Sequence, residues 1–538
     1  MKKLKKISIK KIKEVKVFPK FKIPVLAFSK KIKHEKIDFK IEKERKIIEF
    51  PEGKEIDFTY NIIPSFVKVH IYYDKKIKQN IYEIIEPKLN EQEKEIYNRI
   101  VEILLETIDI ELSAIRNTEK LIPYIEENVQ KIIEKFDIKI NKEQIGKILY
   151  YIWRNFVGLN ELEPLIQDIY IEDISCDGTN IPIYVTHRKY GSLKTNIKFE
   201  SQKNLEEFIM KLAERCGRYI SYAQPLLDGT LPDGSRVQAT LASDVTTRGP
   251  SFTIRKFREI PYSPTEIIEL GTSSSEILAY LWLAIENGAS ILIAGGTGTG
   301  KTSLLNALSL FIKPESKIIS IEDTRELQLP HENWIASVTR TSFAGEYGEV
   351  TLFDLLKESF RQSPDYVIVG EVRGKEAYVL FQGMASGIPA MGTMHAGRVE
   401  DVIYRLQTPP IEISPSLLET LDIIVLLTHA HEIGPSARRI REVVEIEAVD
   451  PISNKAKTNV LFTWLASNDS FSKREYSWVL QKISQLKGIS IEDLQKDLDM
   501  RTKILNWAKK KNIKNYKDFA NIISEFYHNK ENLLKKIK

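Results

Sequence analysis

The most specific chemical signal in the chain is Gly295-Gly296-Thr297-Gly298-Thr299-Gly300-Lys301-Thr302, a complete G-x-x-x-x-G-K-[ST] run. Glycines there let successive backbone N–H groups turn inward and cradle phosphate oxygens, with a helix N-terminus behind them. In that arrangement Lys301 reaches the β- and γ-phosphates of a nucleotide and the Thr302 hydroxyl ligates Mg²⁺. Ser303 stands in the first helical turn. The expected ligands are ATP and Mg²⁺, held by residues 295–303.

Three further apolar runs end in groups that could act on such a ligand. Lys317-Ile318-Ile319-Ser320-Ile321 leads into Glu322-Asp323-Thr324-Arg325-Glu326. A carboxylate at the C-terminal edge of a parallel strand faces the crevice where ligands bind, and one here could orient an attacking water. Asp365-Tyr366-Val367-Ile368-Val369 leads to Gly370-Glu371-Val372-Arg373. That acid can hold the Mg²⁺ shell or polarise water, and here it is Glu371 rather than the usual Asp. Ala390-Met391-Gly392-Thr393-Met394 leads to His395-Ala396-Gly397, where an imidazole could donate to a γ-phosphate. Singly, each has a plain structural reading: acids close many strands, and a lone histidine more often packs than reacts. Their common placement carries the signal.

The elements that must position these groups are strands alternating with helices over residues 265–450, the pattern of a parallel sheet covered on both faces. Ser290-Ile291-Leu292-Ile293-Ala294 precedes the glycine loop, and Ser303-Leu304-Leu305-Asn306-Ala307-Leu308 continues as helix. Residues 1–95 read as a basic extension and a small β-rich region, with alternation at Val67-Lys68-Val69-His70-Ile71-Tyr72. Residues 96–258 read as an α+β domain. It opens on helical periodicity (Ile100, Ile103, Leu104, Ile108) and continues with strands at Ile169–Ser175, Ile183–His187, Arg236–Leu241 and Ser251–Phe257. Lys256–Pro264 reads as a linker. The α/β catalytic unit is placed at 259–450, and residues 451–538 are expected to be helical, as at Ile491–Ala508.

At 538 residues and 62.0 kDa the chain is too long for one core. Its 42% hydrophobic and 28% charged residues exclude a mainly disordered chain. No apolar run reaches membrane-spanning length and no secretory signal is visible. Two cysteines, Cys176 and Cys216, cannot build a disulfide framework or a four-cysteine zinc site. The expectation is a cytoplasmic protein. The net charge of +5 hides an asymmetry: +12 over residues 1–50 and +8 over 501–538, on a body of −15. Basic ends on an acidic body suit an anionic surface, whether membrane or nucleic acid. A lysine-rich solvated face is the alternative.

In order and wording the four clusters resemble the type II/type IV secretion ATPases, where they are called Walker A, Asp box, Walker B and His box. Matching text includes Arg361-Gln362-Ser363-Pro364-Asp365 and Arg405-Leu406-Gln407-Thr408-Pro409-Pro410. The archaeal branch, with its archaellum and type IV pilus motors, is the more similar. Its N-terminal domain is matched by Ile171-Glu172-Asp173-Ile174-Ser175-Cys176-Asp177-Gly178, His187-Arg188-Lys189-Tyr190-Gly191, Pro232-Asp233-Gly234-Ser235-Arg236 and Gly249-Pro250-Ser251-Phe252-Thr253-Ile254-Arg255-Lys256-Phe257. The likeness covers residues 95–530.

The resemblance implies a RecA-like P-loop domain and a hexameric ATPase at the cytoplasmic membrane, driving a polytopic platform protein of a pilus, archaellum or secretion machine. It implies Glu322 as general base, Glu371 as the Walker B acid and a Mg²⁺ ligand with Thr302, and His395 as the residue coupling nucleotide state to movement. Arg236 and Arg255 would close onto the nucleotide, with Arg340 and Arg373 as weaker candidates. Where the family often has Thr-Gly-His before the His box, this chain reads Ser386-Gly387-Ile388, which leaves His395 to act alone. The lack of a four-cysteine zinc module is a second departure from bacterial members. Two other functions compete. A nucleic-acid translocase of RecA-like architecture would want basic text interleaved with aromatics, which is missing. A nucleotide-binding scaffold without turnover would need none of Glu322, Glu371 and His395.

Overall fold

Two nine-stranded sheets, one in each half of the chain, organise the computed structural model. It describes residues 48–537 other than 49, 52, 54, 108–117, 242–243, 259, 341–347 and 435, so the basic extension over residues 1–47 lies outside the described residues.

The first sheet contains β1 (Asp57–Ile63), β2 (Val67–Asp74), β3 (Gln79–Ile85), β4 (Ile171–Cys176), β5 (Pro182–His187), β6 (Gly191–Lys198), β7 (Leu226–Thr230), β8 (Arg236–Thr240) and β9 (Ser251–Arg255). Their order across the sheet is β1-β2-β3-β6-β5-β4-β9-β8-β7. Helices α1 (Glu91–Thr107), α2 (Thr118–Lys135), α3 (Lys142–Ile152), α4 (Glu163–Gln167) and α5 (Gln202–Arg215) accompany it. Period-two burial sets the strands: Val67, Val69 and Ile71 of β2 point inward as the alternation requires.

The expected boundary at residue 95 is not a structural one. β3 pairs in parallel with β6 (Ile81↔Lys194, Tyr82↔Thr195), and one core runs from Ile56 to Ile254. An unpaired β3 edge would leave a row of backbone donors and acceptors open, and the β6 ladder closes it. The buried Asp168 carboxylate ties the two parts further, accepting from the hydroxyls of Tyr60 (2.6 Å) and Tyr82 (2.5 Å).

The second sheet contains β10 (Ile291–Gly295), β11 (Ile318–Glu322), β12 (Trp334–Val338), β13 (Tyr366–Val369), β14 (Ala390–His395), β15 (Ile423–His429), β16 (Arg438–Val449), β17 (Ala456–Leu465) and β18 (Ser470–Lys473). The order is β12-β11-β13-β14-β10-β15-β16-β17-β18, parallel through β15 and antiparallel beyond. Its helices are α6 (Pro264–Glu269), α7 (Ser275–Glu286), α8 (Lys301–Ser309), α9 (Leu352–Ser359), α10 (Glu376–Ala385), α11 (Val399–Gln407), α12 (Pro415–Leu418), α13 (Trp478–Lys487), α14 (Ile491–Lys510), α15 (Tyr516–His528) and α16 (Lys530–Ile537). Alternate residues of β10 serve opposite faces. Ile291 and Ile293 enter the core built with α7, α8 and α13 to α16; Leu292 and Ala294 enter the core built with α9, α10 and α11. This is the doubly covered parallel sheet the sequence called for.

The reading of residues 451–538 as helical is corrected over 456–473, which are β17 and β18. Without them β16 would be an open edge. Register shifts at Val443/Val444 and Ile446/Ala448 break the period-two pattern that would have announced the pairing. The helices after β18 pack back against α7, so they share the catalytic unit's core.

The first core ends at Ile254, the next begins at Tyr262, and α6 opens on a Ser263–Glu266 capping box. Among the described residues, no helix is long and apolar enough to cross a membrane.

Candidate functional site

The order β11-β13-β14-β10 sets four strand ends side by side. Glu322 is the last residue of β11, Glu371 lies two residues beyond β13, His395 closes β14, and the glycine loop leaves β10 at Gly295. Four clusters spread over a hundred residues of sequence thus share one edge, the ligand-binding edge of an open α/β sheet.

The loop is built to hold anions. A Cβ on Gly295 would come within 2.6 Å of the Thr299 hydroxyl and 2.8 Å of the Leu427 carbonyl, so only glycine fits. Gly298 (φ +72°) and Gly300 (φ +89°) turn the backbone through the left-handed region. Gly300 caps α8, directing the helix's first N–H groups at the loop's interior. Thr299 donates to the Gly296 carbonyl at 2.9 Å. Lys301 is buried, and its Nζ donates to the carbonyls of Gly295 (3.1 Å) and Gly296 (2.8 Å), which anchors the ammonium at the loop mouth. Burial lowers its pKa, an effect offset in part by the Glu371 carboxylate and reinforced by Arg255. Thr297 lies in the loop, and Thr302 and Ser303 stand half-buried in the first turn of α8.

Lys301, His395 and Glu371 form a chain. Lys301 Nζ lies 3.4 Å from His395 Nδ1, and His395 Nε2 lies 3.4 Å from Glu371 Oε1. The ammonium also lies 3.5 Å from Nε2, so it rests against both ring nitrogens, and Glu371 acts on the ring through its nearby charge. Burial first, then the Lys301 charge, holds the His395 pKa below the ordinary value, with Glu371 pulling the other way.

Glu322 is 2% exposed. Its Oε1 accepts from the N–H groups of Glu326 (2.9 Å) and Leu327 (3.0 Å), while Oε2 is buried without a partner. Burial pushes its pKa up to about 7 against the pull of those two N–H groups. A carboxyl balanced near neutrality with one free oxygen can hold a water and take its proton. Gly370 makes room for it: a Cβ there would sit 3.1 Å from Glu322 Cγ.

The arginines separate. Arg255, exposed at the end of β9, lowers the pKa of both Lys301 and His395, so its charge reaches the site. Arg236 is its register partner (Arg236↔Arg255), but β8 lies on the far side of β9 from β4, whose Glu172 touches the second sheet. Arg373 is committed to Asp323 at 2.6 Å, and Arg340 Nε donates to the Gly348 carbonyl at 2.8 Å.

Two residues at the loop escaped the sequence reading. His429 Nε2 lies 3.1 Å from the Thr297 carbonyl, which can only accept, so Nε2 carries the proton. Arg438 rests its Cδ 3.4 Å from the point a Cβ on Gly300 would occupy. The ending of β15 in His429, after the apolar run Ile423–Leu427, was a usable signal. Arg438 had none.

ATP and Mg²⁺ suit this donor set. The loop and Lys301 match a polyphosphate, and the Thr302 hydroxyl and Glu371 carboxylate offer hard oxygens of the kind Mg²⁺ takes beside phosphate and water. Among the described residues, no group of three or more His, Cys, Asp or Glu side chains gathers as a metal site.

A family model described as "Type II/IV secretion system protein" matches residues 157–458. The uncharacterized protein MJ0900 of Methanocaldococcus jannaschii is 37% identical over 500 residues, covering 88% of this chain and 90% of its own. The type IV secretion system protein PtlH of Bordetella pertussis is 33% identical over 267 residues, 44% of this chain and 78% of its own. Among solved structures, the VirB11 ATPase from the Brucella suis type IV secretion system is 26% identical, covering 53% of this chain and 92% of its own, with a TM-score of 0.28.

Proposed function

Because the chain belongs to the type II/IV secretion system protein family, we propose that it is an ATP-hydrolysing motor that powers a membrane-embedded machine. The observation that carries this reading is the side-by-side placement of the glycine loop, His395, Glu371 and Glu322 at one sheet edge.

In the mechanism we infer, the loop N–H groups and Lys301 bind the β- and γ-phosphates. Thr302 and Glu371 would hold Mg²⁺, which supplies charge neutralisation at the transferring phosphoryl group. Glu322 orients a water through its unpartnered Oε2 and accepts the proton as the water attacks. His395, placed between the Lys301 ammonium and the Glu371 carboxylate, registers the presence of the γ-phosphate by the charge it adds beside the imidazole. Arg255, and Arg236 behind it, meet the charge that develops in the transition state when the first sheet closes about the 256–263 linker.

The wider reading follows the family. It comprises a homohexamer, a polytopic platform protein as partner, a cytoplasmic position at the inner face of the membrane, and work on an archaellum, pilus or secretion assembly. The name of PtlH, a type IV secretion system protein, supports the machine class. The first test separates binding from turnover. Lys301→Ala should lose MgATP affinity, whereas Glu322→Gln should bind MgATP and hold it unhydrolysed. Equal loss of affinity in both variants would sink the general-base role.

A further inference from the structure

Among the described residues, Arg438 reaches from the glycine loop to the first sheet's Glu172. Its stem lies over Gly300, at the cap of α8. Its Nη2 is 3.3 Å from Glu172 Oε2 on β4, across the boundary between the two cores. Its Nε is buried and unpartnered, so the guanidinium has donor capacity that Glu172 does not use. The surroundings are rich in charge of both signs. Arg188 Nε stands 3.9 Å from the other oxygen of Glu172, and the positive charges of Arg438 and Arg255 both act on Asp173. Behind Arg438, its cross-strand partner His429 pins the loop at Thr297 (His429↔Arg438).

We propose that Arg438 exchanges between two anions, the Glu172 carboxylate and the phosphates of a nucleotide in the glycine loop. The exchange thereby couples nucleotide occupancy to release of the first sheet from the second. It rests on the reading of the loop as a nucleotide site. The geometry permits it with little motion, since rotation about the Cγ–Cδ and Cδ–Nε bonds swings the guanidinium while the stem stays on Gly300. A polyphosphate offers more charge and more acceptor oxygens than one carboxylate, and guanidinium binds such oxygens in pairs. Glu172 therefore acts as a competitor for the nucleotide's own ligand. Once Arg438 leaves, Glu172 retains Arg188 from its own domain, and the 256–263 linker is free to turn and bring Arg255 in.

The test uses the full chain and a non-hydrolysable MgATP analogue. Glu172→Gln should tighten binding about three-fold, the worth of a half-exposed ion pair. Arg438→Ala should weaken binding about ten-fold, as for loss of a charged hydrogen bond. In the double variant the Glu172→Gln gain should vanish. A merely structural bridge would give losses of the same sign in both single variants, and that result overturns the exchange. So does a gain from Glu172→Gln that persists without Arg438. Tryptic cleavage within 256–263 supplies an independent readout. It should rise when the analogue is added to the unaltered protein and be raised already, without analogue, in Glu172→Gln; cleavage insensitive to both overturns the coupling. Lys301→Ala separates the two levels. If it leaves analogue affinity intact, the nucleotide reading itself fails; if it abolishes affinity while Glu172→Gln changes nothing, only the exchange fails.

Discussion

Glu322 is held in surroundings that favour its neutral form. Its pKa of about 7 in the fold stands above the ordinary 4.5 of an exposed glutamate. The stability this group contributes is therefore fully present below pH 4.5 and is lost as pH rises through 7. A shift of that size amounts to about 3 kcal/mol. Glutamine keeps the Oε1 contacts to the Glu326 and Leu327 N–H groups and never ionises. Glu322→Gln should thus be more stable than the unaltered chain at pH 8, with the gap widening by about 2 kcal/mol between pH 5 and pH 8. Urea unfolding at both values measures it, and a gap independent of pH would refute the raised pKa. Turnover of the unaltered chain should rise through the same range if Glu322 is the base we propose, because a base acts only when ionised. The residue itself was legible as an acid closing an apolar run. Its titration was not, because that depends on which side chains bury it and on one oxygen left without a partner. Arg438 and Glu172 were illegible as a pair for a related reason: 266 residues separate them, and only sheet pairing brings them together.

Among the elements, β16 shows how far a pattern carries. The parallel strands β10, β11, β13 and β14 announce themselves as short apolar runs because both faces are buried. β17 does not: its burial alternates imperfectly, and the register shifts opposite it displace the inward residues. Glu445 makes the dependence on this region concrete. It is fully buried in β16, and its carboxylate accepts from Tyr280 (2.6 Å), Ser477 (2.5 Å), Asn459 (2.8 Å) and the Trp478 N–H (2.7 Å). Three of those donors lie beyond residue 450, so the border expected there would cut through the acid's own shell. Glu445→Ala should cost at least about 3 kcal/mol, because several buried donors lose their acceptor at once. Glu445→Gln should cost less, since an amide placed at Oε1 faces the Tyr280 and Ser477 hydroxyls, which can turn to accept, and forfeits only the long 3.3 Å contact from the Val479 N–H. Denaturant unfolding of both variants checks the order, and equal costs would mean the network is dispensable. A chain ending at residue 450 should lose cooperative unfolding altogether.

At the scale of the whole molecule, the separate cores decide which parts can be divided. Deleting residues 1–46 should leave ATP turnover unchanged and weaken salt-sensitive binding to anionic vesicles, if their charge serves a membrane surface. Binding unaltered by the deletion at low salt would reduce those lysines to solvated surface. A cut at the linker asks more. Residues 261–538 keep both cores of the second sheet, the glycine loop, Glu322, Glu371 and His395. Such a fragment should fold and bind MgATP, and the loss of Glu172 removes the competitor for Arg438, so affinity should not fall. What the fragment lacks is Arg255 and Arg236. Arginines that meet transition-state charge are worth roughly 10³–10⁵ in rate in phosphoryl transfer, and they contribute less to ground-state binding because the charge they answer develops later. Turnover of the fragment should therefore fall at least about ten-fold while its affinity holds. Arg255→Ala in the full chain should reproduce much of that fall, and Arg236→Ala less, since Arg236 stands one strand farther out. Measuring kcat beside Kd for all four proteins, with assembly followed by sedimentation, keeps a failure to form rings from imitating the loss. Full-rate hydrolysis by the fragment would make both arginines structural and remove closure of the first sheet from the mechanism.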